Sequence, residues 1–298
     1  MIRISSLTKR FDEKEAISSL TLDIGPGITG LVGQNGAGKS TLFRLISGVY
    51  EADEGEVLVD TFLASTKQSK ERIFFLPDDP FSPPNSDIKG TLDFYKIFYD
   101  IDQEKFYRLV EQFHLPNDVK IRKFSKGMRR LLFIALSLSI NVPILLLDEA
   151  FDGLDPLVLE IVKSELLKIY DDQEKTIIIS SHNISALEKL VDKFVIIHEG
   201  KLRSDGSIDY LGETFVKYQA IFQEECSEEI LVNHGLEIIT YRKIGSISNF
   251  VINRKKDLDV EKALKDLKPT LLENIPIDAN EIIILQMTLA RKENKDEK

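Results

Sequence analysis

Cysteine is almost absent from this 298-residue chain. Cys226 stands alone, so no internal disulfide is available and a reducing compartment suits the composition. Basic residues are outnumbered: 39 Lys and Arg face 49 Asp and Glu, a formal net charge of −10. That balance argues against a broad phosphate-backbone footprint on nucleic acid and against electrostatic docking on anionic lipid. The opening MIRISSLTKRF has no apolar core of the kind that marks a secretory signal. Long hydrophobic runs are also missing. Leu131–Leu147 is an uncharged stretch of 17 residues, short of the ~20 that a spanning helix needs. Asn141 and Pro143 interrupt it. It predicts a buried helix ending near Ile140, a proline-marked turn, and a buried strand over Ile144–Leu147. There is no repeat, heptad run or low-complexity tract.

What remains is an ordinary globular composition, 43% apolar and 30% charged, long enough for about two domains at roughly 150 residues each. Compact aliphatic runs at Ile28–Val32, Ile73–Leu76, Ile144–Leu147, Thr176–Ile179 and Phe194–Ile197 alternate with helical patterns at Lys39–Ser47, Leu157–Tyr170 and Ile184–Leu190. Strands buried on both faces and alternating with helices predict an α/β fold with a mostly parallel sheet. Ile2–Leu7, Ala16–Ile24 and Glu56–Val59 read as antiparallel strands. The stretch from about 80 to 139 reads as a helical insert. Past Leu211 the pattern changes to strand Val216–Phe222, helix Ser227–His234, strands Glu237–Ile244 and Ile247–Asn253, helix Val260–Leu267, strand Thr270–Ile275 and a last helix Ala279–Arg291. That order is β-α-β-β-α-β plus a helix, as in ferredoxin-like units. The expected domains are therefore 1–211 and a small α+β accessory domain, 212–298.

Gly33-Gln34-Asn35-Gly36-Ala37-Gly38-Lys39-Ser40-Thr41 follows the strand Ile28–Val32 and opens a helix. It matches G-x-x-x-x-G-K-[ST] in the required context. The glycines let successive N–H groups form an anion nest, and the helix N-terminus adds a positive dipole end. Lys39 would reach the β- and γ-phosphates of a nucleotide and Ser40 would ligate Mg²⁺. Ile144–Leu147 then surfaces at Asp148-Glu149. Ligands of open α/β sheets sit at the carboxyl ends of strands, so Asp148 can hold Mg²⁺ and Glu149 can take a proton from an attacking water.

With Phe124-Ser125-Lys126-Gly127-Met128 between these elements, Gly153-Leu154-Asp155 just after the second, and His182 after Thr176–Ile179, the chain resembles the nucleotide-binding subunits of ATP-binding cassette (ABC) transporters over roughly residues 1–211. The resemblance implies a P-loop ATPase core with an antiparallel β subdomain and a helical insert. It implies ATP and Mg²⁺ as cofactors and in-line attack of water on the γ-phosphorus. Ser125 and Gly127 match the family signature LSGGQ, whereas Phe124, Lys126 and Met128 depart from it; FSKGM is similar to the form found in export-type ATPases with separate membrane subunits. In the family that signature binds the γ-phosphate of the opposite protomer. Phe11 matches the aromatic that stacks on adenine, although it also reads as a hydrophobic residue after the first strand. His182 matches the switch histidine and Asp155 the aspartate that crosses the dimer interface. Asp78, in Leu76-Pro77-Asp78-Asp79-Pro80, stands where the family has glutamine. It reads either as a third Mg²⁺ ligand or as an acidic turn between prolines.

The resemblance further implies a separate multi-spanning permease, a homodimer or a heterodimer with a second ATPase, no nucleic-acid partner, and a cytoplasmic place on the inner face of the membrane. A soluble ABC ATPase acting on a ribosome, DNA or an assembly complex is the alternative. Aromatics crowd between Phe74 and Tyr107. They read as the core of the helical insert, or in part as a groove for a partner helix.

Overall fold

The computed structural model describes residues 1–173, 175–182, 184–254 and 260–296. In chain order the elements are β1 (Ile2–Phe11), β2 (Lys14–Ile24), β3 (Gly27–Val32), α1 (Lys39–Ile46), β4 (Glu54–Val59), β5 (Phe62–Leu63), α2 (Lys67–Lys70), β6 (Ile73–Leu76), α3 (Ile88–Tyr95), α4 (Gln103–Gln112), α5 (Lys126–Ser139), β7 (Ile144–Leu147), α6 (Pro156–Gln173), β8 (Thr176–Ser180), α7 (Ile184–Leu187), β9 (Lys193–His198) and β10 (Lys201–Gly206). Then follow α8 (Ile208–Gly212), β11 (Phe215–Phe222), α9 (Glu228–Asn233), β12 (Ile238–Ile244), β13 (Ile247–Asn253), α10 (Val260–Asp266), β14 (Pro269–Ile275) and α11 (Ala279–Asp296). No described helix is long and apolar enough to cross a membrane.

The chain falls into two compact units, Met1–Leu202 and Arg203–Lys298. The division precedes residue 211 because α8 packs with the later elements. Gln286 Nε2 donates to the Leu211 carbonyl at 3.0 Å, and Gly212 lies against Ile282.

The first unit holds an antiparallel sheet ordered β2-β1-β4-β5 and strands β9-β3-β8-β7-β6 of a six-stranded sheet ordered β10-β9-β3-β8-β7-β6, whose edge strand β10 spans the division. Strands β3, β8, β7 and β6 run parallel. Every residue of β3, β7 and β8 is buried, which is why their sequences are near-continuous aliphatic runs. Helix α1 lies between the sheets. Leu42, Phe43, Leu45 and Ile46 share one core with Ile2, Ile4 and Ile17 of the antiparallel sheet and Leu31, Ile178 and Val195 of the parallel one. Packing on both sides fixes where the N-terminus of α1 points.

The helical insert is built from capped pieces. Asp87, Asp102 and Ser125 accept from the main-chain N–H groups of Gly90, Lys105 and Met128 at the starts of α3, α4 and α5. Its aromatics divide between inside and outside. Phe74, Phe106 and Phe133 are buried, while Phe81 and Phe98 are 58% and 63% exposed. Phe94 joins the two groups, 5.5 Å from Phe81 and 5.3 Å from Tyr95, ring centre to ring centre.

The second unit carries an antiparallel sheet ordered β12-β13-β11-β14. Its chain order, β11-α9-β12-β13-α10-β14, makes this a split β-α-β arrangement. One face, with Tyr218, Ala220, Phe250 and Ile252, packs with Leu231 of α9 and Leu264 of α10. The other, with Phe215, Ile239 and Val251, packs with Leu285 of α11. Helix α11 continues to Asp296, beyond the expected end at Arg291.

Candidate functional site

The loop from β3 to α1 needs its glycines. Gly36 and Gly38 sit at φ 80° and 109°, where side chains are strained. A Cβ at Gly33 would come 2.5 Å from the Ile197 carbonyl oxygen. Gly38 occupies the N-cap of α1 and makes no side-chain cap, so the first N–H groups of that helix remain available to an anion. Lys39 is buried, 5% exposed. Its Nζ donates to the Gly33 carbonyl at 2.8 Å and lies 3.2 Å from Glu149 Oε1. A cavity of about 480 Å³ collects Phe11, Asn35, Gly36, Gly38, Lys39, Ser40 and Thr41 together with Asp78 and Glu149. Phe11 is 41% exposed there and packs edge-on to Tyr50, 5.4 Å between ring centres. It thus presents an aromatic surface to the cavity while its other contacts hold it in place.

Adjacent carboxylates meet different surroundings. Asp148 is buried, and its Oδ1 accepts the Ser180 hydroxyl at 2.6 Å. Glu149 adopts φ 49° and turns toward Lys39, with its main-chain N–H donating to Ser180 Oγ at 2.9 Å. Ser180 therefore holds both residues; in sequence it reads only as the end of a strand. Burial pushes the Glu149 carboxyl up, but contacts with Asp152, Lys39 and His182 outweigh it and hold the group below its usual range. His182 Nδ1 lies 3.2 Å from Glu149 Oε2 and 3.0 Å from Asp152 Oδ2. Asp152, which the sequence reading passed over, is pushed up to about 6 by burial and by the neighbouring Glu149. One carboxylate of the pair is thus kept ionised while the other holds its proton more readily.

Ser125, Gly127 and Asp155 are placed differently. Ser125 caps α5, accepting from Met128 N at 3.1 Å, and both it and Gly127 are exposed. Asp155 Oδ1 accepts from Leu157 N at 2.9 Å just before α6. None of the three lines the cavity that holds Lys39.

Of the three expected metal ligands, Ser40 and Asp78 line the cavity, whereas Asp148 is buried and does not line it; all three offer hard oxygen, the donor chemistry that suits Mg²⁺. Asp78 has a competing partner, because its carboxylate is paired with the guanidinium of Arg130, which also donates to the Asp152 carbonyl. The sequence offered one signal for Arg130: an unexpected acid beside a phosphate site needs a cation.

A phosphate loop at a helix N-terminus, faced by an aliphatic strand ending in two carboxylates, defines a P-loop ATPase. The family model described as ABC transporter matches residues 17–152. The bacitracin transport ATP-binding protein BcrA of Bacillus licheniformis is 30% identical over 224 residues, 73% of this chain and 73% of that protein. The ABC transporter ATP-binding protein YtrB of Bacillus subtilis (strain 168) is 26% identical over 288 residues, 95% of this chain and 97% of that protein. A solved ATP-binding subunit of an ABC transporter shares the fold, with a TM-score of 0.66 and 22% identity over 72% of this chain and 92% of that one. The chain belongs to the ABC transporter ATP-binding family. It is an ATP-binding, ATP-hydrolysing subunit with the mixed α/β cassette fold.

Proposed function

We propose that this chain works as half of a head-to-tail dimer that hydrolyses MgATP and drives export through a separate multi-spanning permease, from the inner face of the membrane. The observation that carries the reading is the division of the site. Lys39, Glu149 and His182 converge at the phosphate loop, whereas Ser125 and Gly127 lie exposed on the helical insert, outside that cavity. A second copy, or a second ATPase chain, can bring those two residues to the γ-phosphate. Met1–Leu202 forms the ATPase domain in this reading and Arg203–Lys298 an accessory domain.

In the chemistry, the α1 N-terminus and Lys39 bind the β- and γ-phosphates and Phe11 stacks on adenine, a contact worth ~1–3 kcal/mol. Glu149, ionised at neutral pH, accepts the proton of the attacking water, and His182 holds its far oxygen in place. Ser40 and Asp148, with Asp78, would hold Mg²⁺, which would supply charge neutralisation on the phosphates. Ser125 and the α5 N-terminus of the opposing copy add donors to the γ-phosphate as charge develops. Export is favoured by the FSKGM form of the signature and by likeness to a bacitracin transport protein.

Affinity purification of the tagged chain from detergent-solubilised membranes is the test. A multi-spanning protein should come with it, and ATPase activity should depend on protein concentration as dimer forms. Recovery only with ribosomes or DNA would overturn the transport reading.

A further inference from the structure

A carboxylate on the wall of a cavity built for a triphosphate needs an explanation, because like charges within a few ångströms weaken anion binding. Asp78 is such a group: it lines the cavity together with Lys39 and Ser40. Lys39 Nζ is already engaged by Gly33 and Glu149. The cation on Asp78 is Arg130, from the second turn of α5, with its side chain only 14% exposed. One arm of the guanidinium donates to Asp78 Oδ1 and another to the Asp152 carbonyl oxygen. Among the described residues Asp78 makes no other ion pair. The preceding residue, Arg129, reaches Asp79 Oδ1 and the Pro80 carbonyl, both at 3.3 Å, so two successive arginines of α5 grip one acidic turn.

We propose that Arg130 is a positioning residue for nucleotide binding: its planar fork cancels the charge of Asp78 at the cavity wall and fastens that turn to α5 and to the backbone of Asp152. The planar guanidinium suits this task because its donors point two ways in a fixed geometry, which a lysine cannot reproduce. The inference rests on the cavity being the nucleotide site.

Fluorescence titration of the full chain with N-methylanthraniloyl-ADP in excess EDTA tests it, since no metal then contributes to the signal. Arg130→Gln leaves Asp78 uncompensated and should weaken binding by about 5-fold, the size of one partly screened charge. Asp78→Asn on that background should restore affinity to within about twofold of wild type, because the two residues act as a coupled pair. Asp78→Asn alone should tighten binding, since Arg130 then faces the phosphates unpaired. Wild-type affinity in Arg130→Gln, or a double variant as weak as the single one, overturns the proposal. Should Arg130→Gln fail to fold, Asp78→Asn decides alone: tightening supports the charge pairing, and unchanged or weaker binding refutes it. A wild-type chain that does not bind the fluorescent ADP at all would instead remove the nucleotide-site reading beneath it.

Discussion

Glu149→Gln isolates the proposed base. Glutamine keeps the size of the side chain and tolerates φ 49° much as glutamate does, so the backbone gains no new strain. What disappears is the charge facing Lys39 Nζ at 3.2 Å and His182 Nδ1 at 3.2 Å. Lys39 keeps its bond to the Gly33 carbonyl at 2.8 Å and remains placed for the phosphates, now with one carboxylate fewer opposing them. ATP affinity should therefore hold or rise. Loss of general-base assistance should slow turnover by ~10²–10⁴-fold, about 3–5 kcal/mol of barrier. Binding retained and turnover lost means that the variant accumulates with ATP bound. Under the dimer reading it should run as a dimer in size-exclusion light scattering with MgATP, where the wild type separates as it turns over. Phosphate release followed alongside completes the assay. Turnover close to wild type would refute the assignment of Glu149. An inactive variant that never dimerises would leave the chemistry standing and favour a second ATPase chain as partner.

Asp78→Ala should lower ATP turnover more than ATP affinity if Asp78 helps position the metal, and Asp78→Gln should retain more turnover than Asp78→Ala; equal, near-wild-type rates for both leave an acidic turn alone. A chain ending at Gly212 should still bind MgATP, because each residue placed around the cavity precedes it; a folded truncation that has lost nucleotide binding would refute the boundary. Asp152, held up to about 6 in the folded chain against an ordinary value of about 4, favours folding most when protonated. Its contribution is full below about pH 4 and fades as pH rises through about 6. Asp152→Asn should therefore raise the thermal midpoint at pH 7.5 relative to wild type and leave it little changed near pH 4; a uniform shift at both pH values would contradict the assigned titration.

Much of the fold was legible because burial on both faces writes itself into sequence. β3, β7 and β8 are almost wholly aliphatic or small residues, with a phosphate loop or a carboxylate pair at the end of two of them. The polar edge was not legible. β10, Lys-Leu-Arg-Ser-Asp-Gly, has no buried residue, so it lacks both a hydrophobic run and a clean alternation. β5 is only two residues long, and α8 opens on a serine cap in a segment to which no element was assigned from the sequence. In the site, the motif residues were visible because each has a fixed spacing from a strand end. Ser180, Asp152 and Arg130 were not, since each matters only through a neighbour that the fold brings to it from far along the chain. Ser180 reaches Asp148 across the β7–β8 pairing, and Arg130 reaches Asp78 from α5 to the end of β6. An odd residue in a motif is the sequence clue to such partners: Asp78, standing in place of glutamine, marks the turn that Arg130 pairs with.

Why Asp148 and Glu149 can do different work although adjacent follows from one torsion. Strand geometry sends successive side chains to opposite faces; a simple continuation of β7 would have placed one carboxylate in each layer of the core. The strand ends at Leu147. Asp148 continues its direction into a buried place where the Ser180 hydroxyl satisfies one oxygen. At Glu149 the backbone turns to positive φ, a conformation costing of order 1 kcal/mol for a non-glycine residue. The Ser180 hydroxyl that donates to Asp148 also accepts the Glu149 N–H at 2.9 Å, so the strained turn is held by the same group that fixes the buried carboxylate. Ser180→Ala should loosen both at once. Asp148 would lose its donor and Glu149 the anchor of its turn, at a stability cost of about 1–3 kcal/mol for the unsatisfied buried groups. Turnover should fall with nucleotide affinity largely kept, because the phosphate loop touches neither bond. Differential scanning fluorimetry with ADP and phosphate-release kinetics would show the split. A variant that keeps wild-type turnover while losing stability would mean that Glu149 is aimed by Lys39 and His182 without help from the turn.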